Sequence, residues 1–128
     1  MIYYLLLMHW LADFPCQLPW MAQNKSHNQL ALLAHILTYG TVLATGMYFI
    51  MPDVVPVSTF IMFIAFNVVC HYVTDAITSK ITKFFWEKKQ VYLFFSTIGF
   101  DQLIHTCTLI FSCRMFLENV LGKEWLLG

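Results

Sequence analysis

The chain has 128 residues with no net formal charge, of which 59% are hydrophobic and 11% charged, and its mean hydropathy is +0.67. A soluble domain of this size would need about a quarter of its residues charged to cover its surface. The composition therefore excludes a soluble globular protein and predicts an integral membrane protein, a single domain over residues 1–128, with nothing in its charge to attract nucleic acid.

In chain order, the first apolar segment covers residues 2–14. It lacks a basic leader and a small-residue cleavage site, so it reads as a structural helix and not a secretory signal. Pro15 ends it, because the residue before a proline is pushed out of helical geometry. About 13 residues at ~1.5 Å each reach ~20 Å, short of the ~30 Å hydrocarbon core, so this helix is expected to be a short one. Cys16 to Asn28, with Pro19, Trp20 and Lys25, reads as an interfacial loop in which His27 is solvated. Residues 29–51 form a long span without formal charge, and Pro52 to Pro56 a turn. A third helix covers 57–83 and is expected to continue past the membrane toward Trp86. Glu87 to Gln90 is a hydrophilic loop, a fourth helix covers 91–117, and Lys123 and Trp125 mark an interfacial end. The expected fold is all-α, a polytopic membrane protein built as a compact bundle of four transmembrane helices, one of them short. Cys16, Cys70, Cys107 and Cys113 have no metal-ligand spacing and read as buried free thiols, and Phe84, Phe85, Phe94 and Phe95 as membrane anchors.

Lys25, Lys80, Lys83, Lys88 and Lys89 fall in two of the loops, which places those loops in the cytoplasm and the protein in the inner (cytoplasmic) membrane as a multi-pass chain; Arg114 and Lys123, on the opposite side, weakly oppose this orientation. Within the apolar segments, Asn67, His71 and Asp75 recur every four residues and so share one helix face. His9 and Asp13 repeat the His-x3-Asp spacing, Asp101 and His105 invert it, and His35 stands alone in the second long segment. Although the chain reverses at each helix, all seven His and Asp residues fall in the cytoplasmic half under this topology. An Asp near the middle of an inserted helix costs ~2.5–3.5 kcal/mol, and the least costly remedy is for all of them to face inward and meet.

Four imidazoles and three carboxylates form a nitrogen- and oxygen-rich donor set suited to a divalent metal, Zn²⁺ first and Mn²⁺ or Fe²⁺ next, as one or two ions. His9, Asp13, His35, His71, Asp75, Asp101 and His105 are the expected ligands, with Asp13, Asp75 and Asp101 as the catalytic carboxylates. Gln17, Lys25, Tyr39, Asn67, Thr74 and Gln102 are expected to bind substrate or orient the ligands, and Lys25 to attract an anionic headgroup. The chemistry implied is metal-dependent hydrolysis of a lipid or amphipathic substrate near the cytoplasmic face. Two other classes compete with it: an ion- or proton-conducting or metal-transporting homo-oligomer, because intramembrane Asp and His also mark such pathways, and an envelope-interaction protein of phage or bacterial origin.

The run His9-Trp-Leu-Ala-Asp13-Phe-Pro-Cys-Gln17, then Trp20-Met-Ala with Lys25, His35 with Tyr39, Asn67 with His71 and Asp75, and Gly99-Phe-Asp101-Gln102 with His105 resembles the small integral-membrane family of bacteria and phages known as domain of unknown function 3307. The resemblance covers nearly the whole chain and implies no established activity. A looser similarity, to membrane-bound metal-dependent hydrolases of the YdjM type, implies hydrolysis only by analogy. Pro15-Cys16, between Asp13 and Gln17, departs from the apolar residues expected there, and a kink at Pro15 would turn Gln17 away from the site.

Overall fold

The computed structural model describes residues 1–51, 53–122 and 124. Pro52, Lys123 and Trp125, which carry part of the expected turn and interfacial end, lie outside the described residues. Five helices follow one another: α1 (Ile2–Asp13), α2 (Pro19–Asn24), α3 (Gln29–Ile50), α4 (Val57–Glu87) and α5 (Val91–Leu121), with no strand among the described residues.

Three of these helices, not four, are long and apolar enough to cross a membrane: α3, α4 and α5. The expectation of a fourth transmembrane helix is corrected at α1. Its 12 residues span only ~18 Å. The Phe14 N–H bonds to the Trp10 carbonyl as the helix ends, one residue before Pro15. The interfacial loop is corrected as well, since it contains α2. Pro19 sits in the first turn of α2, where its missing N–H costs nothing.

Asn28 starts α3. Its side-chain oxygen accepts the backbone N–H groups of Leu30 and Ala31, two donors that the helix itself leaves unpaired. α4 and α5 run four residues beyond the expected ends, to Glu87 and Leu121. At 31 residues each they are ~46 Å long, against a hydrocarbon core of ~30 Å. They are joined by the short link 88–90, in which Lys89 takes a positive φ of 55°, so they form an antiparallel hairpin longer than the hydrocarbon is thick.

α1 packs antiparallel along α3. The Tyr4 hydroxyl donates to the Gly46 carbonyl at 3.1 Å, and a Cβ built on Gly46 would lie 2.5 Å from Met8 Sδ. Any side chain there would require the Met8 side chain to move. Away from the polar residues the core consists of Leu5, Ala12, Leu43, Met47, Phe63, Leu109, Cys113 and Leu117. The outer faces expose Leu37, Tyr48, Phe49, Ile61, Val69, Val73, Ile77 and Phe100, an apolar surface far too large for water to tolerate and suited to lipid. All four cysteines are free, but only Cys113 is buried. Cys16 and Cys107 are exposed on the outer surface, which corrects the expectation of buried thiols for those two.

Candidate functional site

The level of the site follows from the hairpin geometry. His35 lies 15 residues before the end of α3 at Ile50, His71 lies 14 after the start of α4 at Val57, and His105 lies 16 before the end of α5 at Leu121. Nearly equal paths along antiparallel helices bring the three imidazoles to about one depth. α1 delivers His9 and Asp13 from its last two turns. His9, Asp13, His35, His71, Asp75 and His105 are all buried, and Asp101 is half-buried.

The Nε2 atoms converge. His35 Nε2 lies 3.1 Å from His71 Nε2 and 3.0 Å from Asp75 Oδ2. His71 Nε2 lies 3.2 Å from Asp13 Oδ1. The crossed distances are 3.6 Å from His35 to Asp13 Oδ1 and 3.8 Å from His71 to Asp75 Oδ2. A tetrahedral site with ligands at ~2.0–2.1 Å has edges of ~3.3–3.4 Å between ligand atoms. These five distances scatter around that value. Asp13 Oδ1 and His105 Nε2 are buried without a hydrogen-bond partner despite these close neighbours, so the contacts are not aligned as hydrogen bonds. Buried polar atoms left unpaired in this way are rare and call for an explanation. Three overlapping trios, His9–Asp13–His71, His35–His71–Asp75 and Asp13–Asp101–His105, could each hold a metal ion, with ligand atoms within 4.8 Å of one another.

The surrounding residues hold the carboxylates in place. The Gln102 amide donates to Asp13 Oδ2 at 3.1 Å and to Asp101 Oδ2 at 3.2 Å, and its oxygen lies 3.1 Å from His9 Nε2. The Lys25 ammonium donates to Asp75 Oδ2 at 2.8 Å. Tyr39 stacks on His71 with ring centroids 3.8 Å apart and fixes the ring plane. Gln17 donates to the Asp13 carbonyl at 2.6 Å and lines the cavity beside it, so Pro15 does not carry it away.

Two expected residues lie elsewhere. Asn67 bonds to Ser112 and to the Phe63 carbonyl, below the cluster. Thr74 donates to the Cys70 carbonyl and lines a separate groove between α4 and α5. Sequence reasoning missed Thr78, whose hydroxyl donates to Asp101 Oδ1 at 2.6 Å. It also missed Ser112, the partner of Asn67. A signal for Thr78 was present, since it lies three residues after Asp75 and so next to the face of Asn67, His71 and Asp75.

A cavity of about 610 Å³ opens onto this cluster. Asp13, Asp75, Asp101 and Gln102 line its polar side. Phe14, Phe94, Ile98 and Trp86 give it apolar walls, and Lys25, Lys83 and Glu87 add charge. Phe94, expected only to anchor the chain in the membrane, therefore also lines the cavity. His27 is exposed, as expected of a solvated loop residue.

A family model described as Protein of unknown function (DUF3307) matches residues 1–125, and the chain belongs to that family. Comparisons with curated proteins and with solved structures returned no match.

Proposed function

We propose that this DUF3307 protein is a metal-dependent hydrolase of a lipid or another amphipathic substrate. The observation that carries the reading is the four-atom set His35 Nε2, His71 Nε2, Asp13 Oδ1 and Asp75 Oδ2, spaced like the edges of a coordination shell and reached from a cavity with both polar and apolar walls. Two imidazoles and two carboxylates suit Zn²⁺ first, and Mn²⁺ or Fe²⁺ next. When bound, such an ion supplies a water activated near neutral pH and polarises the oxygen of the bond to be cleaved.

The chain's own residues supply the rest. Phe14, Phe94, Ile98 and Trp86 accommodate an apolar chain, and Lys25 and Lys83 attract an anionic head. The cluster of Lys25, Lys80, Lys83, Lys88 and Lys89 toward the cavity end favours the cytoplasmic side of the inner membrane. Transport through one copy is disfavoured by the other half of the bundle. There, past the buried Asn67–Ser112 pair, Leu43, Met47, Phe63 and Leu117 are fully buried and close the axis with apolar side chains.

The test is hydrolysis of phospholipid vesicles and of a soluble phosphoester by detergent-purified protein, with and without chelator. Turnover that chelation removes and Zn²⁺ or Mn²⁺ restores is expected. Turnover unaffected by chelation, or its absence from the metal-loaded protein on every substrate class, would overturn the reading.

A further inference from the structure

The donors divide into two sets according to which carboxylate oxygen they face. Asp75 turns Oδ2 toward His35 and His71 but Oδ1 toward His105, at 3.5 Å. Asp13 turns Oδ1 toward His35 and His71 and Oδ2 toward Gln102 and His9. On the His105 side, Asp101 Oδ1 lies 3.4 Å from His105 Nε2. These distances again match the edges of a tetrahedral shell, ~3.3–3.4 Å. The His105 side chain is 3% exposed, and its Nε2 has no hydrogen-bond partner. It points into a space bounded by three carboxylates.

We infer that the cluster binds two divalent ions, one held by His35 and His71, the other by His105 and Asp101, with Asp13 and Asp75 bridging them. The inference rests on the hydrolase reading for its purpose but on separate atoms for its geometry. Carboxylates that give one oxygen to each ion hold metal pairs ~3.5–4 Å apart. We assign His9 to neither ion, although its Nε2 lies 3.5 Å from Asp13 Oδ2 and it forms a trio with Asp13 and His71. Its Nε2 faces the Gln102 oxygen at 3.1 Å, so it positions Gln102, which in turn holds Asp13 and Asp101. Thr78 steadies Asp101 from the other side. Charge points the same way. With the imidazoles neutral, as metal ligands require, three carboxylates against the single ammonium of Lys25 leave two unbalanced negative charges, which are costly when buried. One divalent ion neutralises them, and a second leaves positive charge for an anionic headgroup. The substrate class that follows is a phosphate ester with an apolar chain, its phosphate oxygens spanning the two ions.

The experiment is metal analysis of protein loaded with Mn²⁺ in detergent, with electron paramagnetic resonance on the same samples. The wild type is expected to hold two equivalents and to give the spectrum of an exchange-coupled pair. Asp101→Asn and His105→Ala are expected to hold one equivalent and to give the six-line spectrum of an isolated ion. His9→Ala is expected to retain two ions with weaker affinity. One equivalent in the wild type, with a six-line spectrum unchanged in Asp101→Asn and His105→Ala, would overturn the second site and leave the single-ion hydrolase reading in place. No bound metal at all would overturn both. Because the wild-type spectrum decides between a pair and a single ion, the inference can fail even if a variant does not fold.

Discussion

At the level of Leu43, Met47, Phe63, Leu109 and Leu117 the helices meet through apolar side chains. From Phe63 it takes about two turns along α4 to reach His71, where the same helices meet through imidazoles and carboxylates. The two levels are held by different forces. Lipid tails are as apolar as leucine, so the first level gains little from burial and depends on close fit, as where Met8 of α1 packs on Gly46 of α3. The second level holds because no helix can satisfy its own Asp or His in hydrocarbon. Asn67 and Ser112, hydrogen-bonded to each other at 2.9 Å, mark the border. The polar level is therefore where function is separable from folding: its groups contribute little shape but nearly all of the chemistry.

Substitutions at the two levels should therefore have different consequences. The largest expected effect is from Asp75→Asn, which removes an oxygen facing His35, one facing His105 and the partner of Lys25. It should abolish metal retention while helicity, followed by circular dichroism in detergent, stays unchanged; a variant that keeps its metal would break the separation. Gly46→Val comes next. Its side chain would collide with Met8 and push α1 off α3, carrying His9 and Asp13 with it. It should weaken metal affinity by roughly 10–100-fold and lower stability by ~1–3 kcal/mol, read by metal titration and thermal unfolding. Thr78→Val removes the hydroxyl that orients Asp101 and should cost about tenfold in affinity with little loss of stability. Competition with a metallochromic dye would measure this. The smallest effect is expected from Asn67→Ala, about 1 kcal/mol of stability, with metal content unchanged. If that variant lost metal, the border between the levels would have to move.

Much of this was legible in the sequence because the polar residues carry their own periodicity. The spacing of Asn67, His71 and Asp75 put them on one face, and Pro15 marked α1 as short. The division of labour among them was not legible. Whether Asn67 faces the imidazoles or Ser112, and which oxygen of Asp75 faces which histidine, depends on helix rotation and depth, which four-residue spacing leaves free. α2 escaped because six residues, Pro19 to Asn24, are too few to show a period, although proline at a helix start was a usable sign. The cavity could not be read either, because its walls come from α1, α2, α4, α5 and the segments between α1 and α3.

The most direct test of the central claim is metal content by plasma mass spectrometry on detergent-purified wild type beside His71→Ala. His71 contacts both Asp13 and Asp75, so its loss should open the shell without unfolding the bundle. The account predicts stoichiometric Zn, Mn or Fe in the wild type and its loss in the variant. A wild type without metal after supplementation, or equal metal in both proteins, would contradict it.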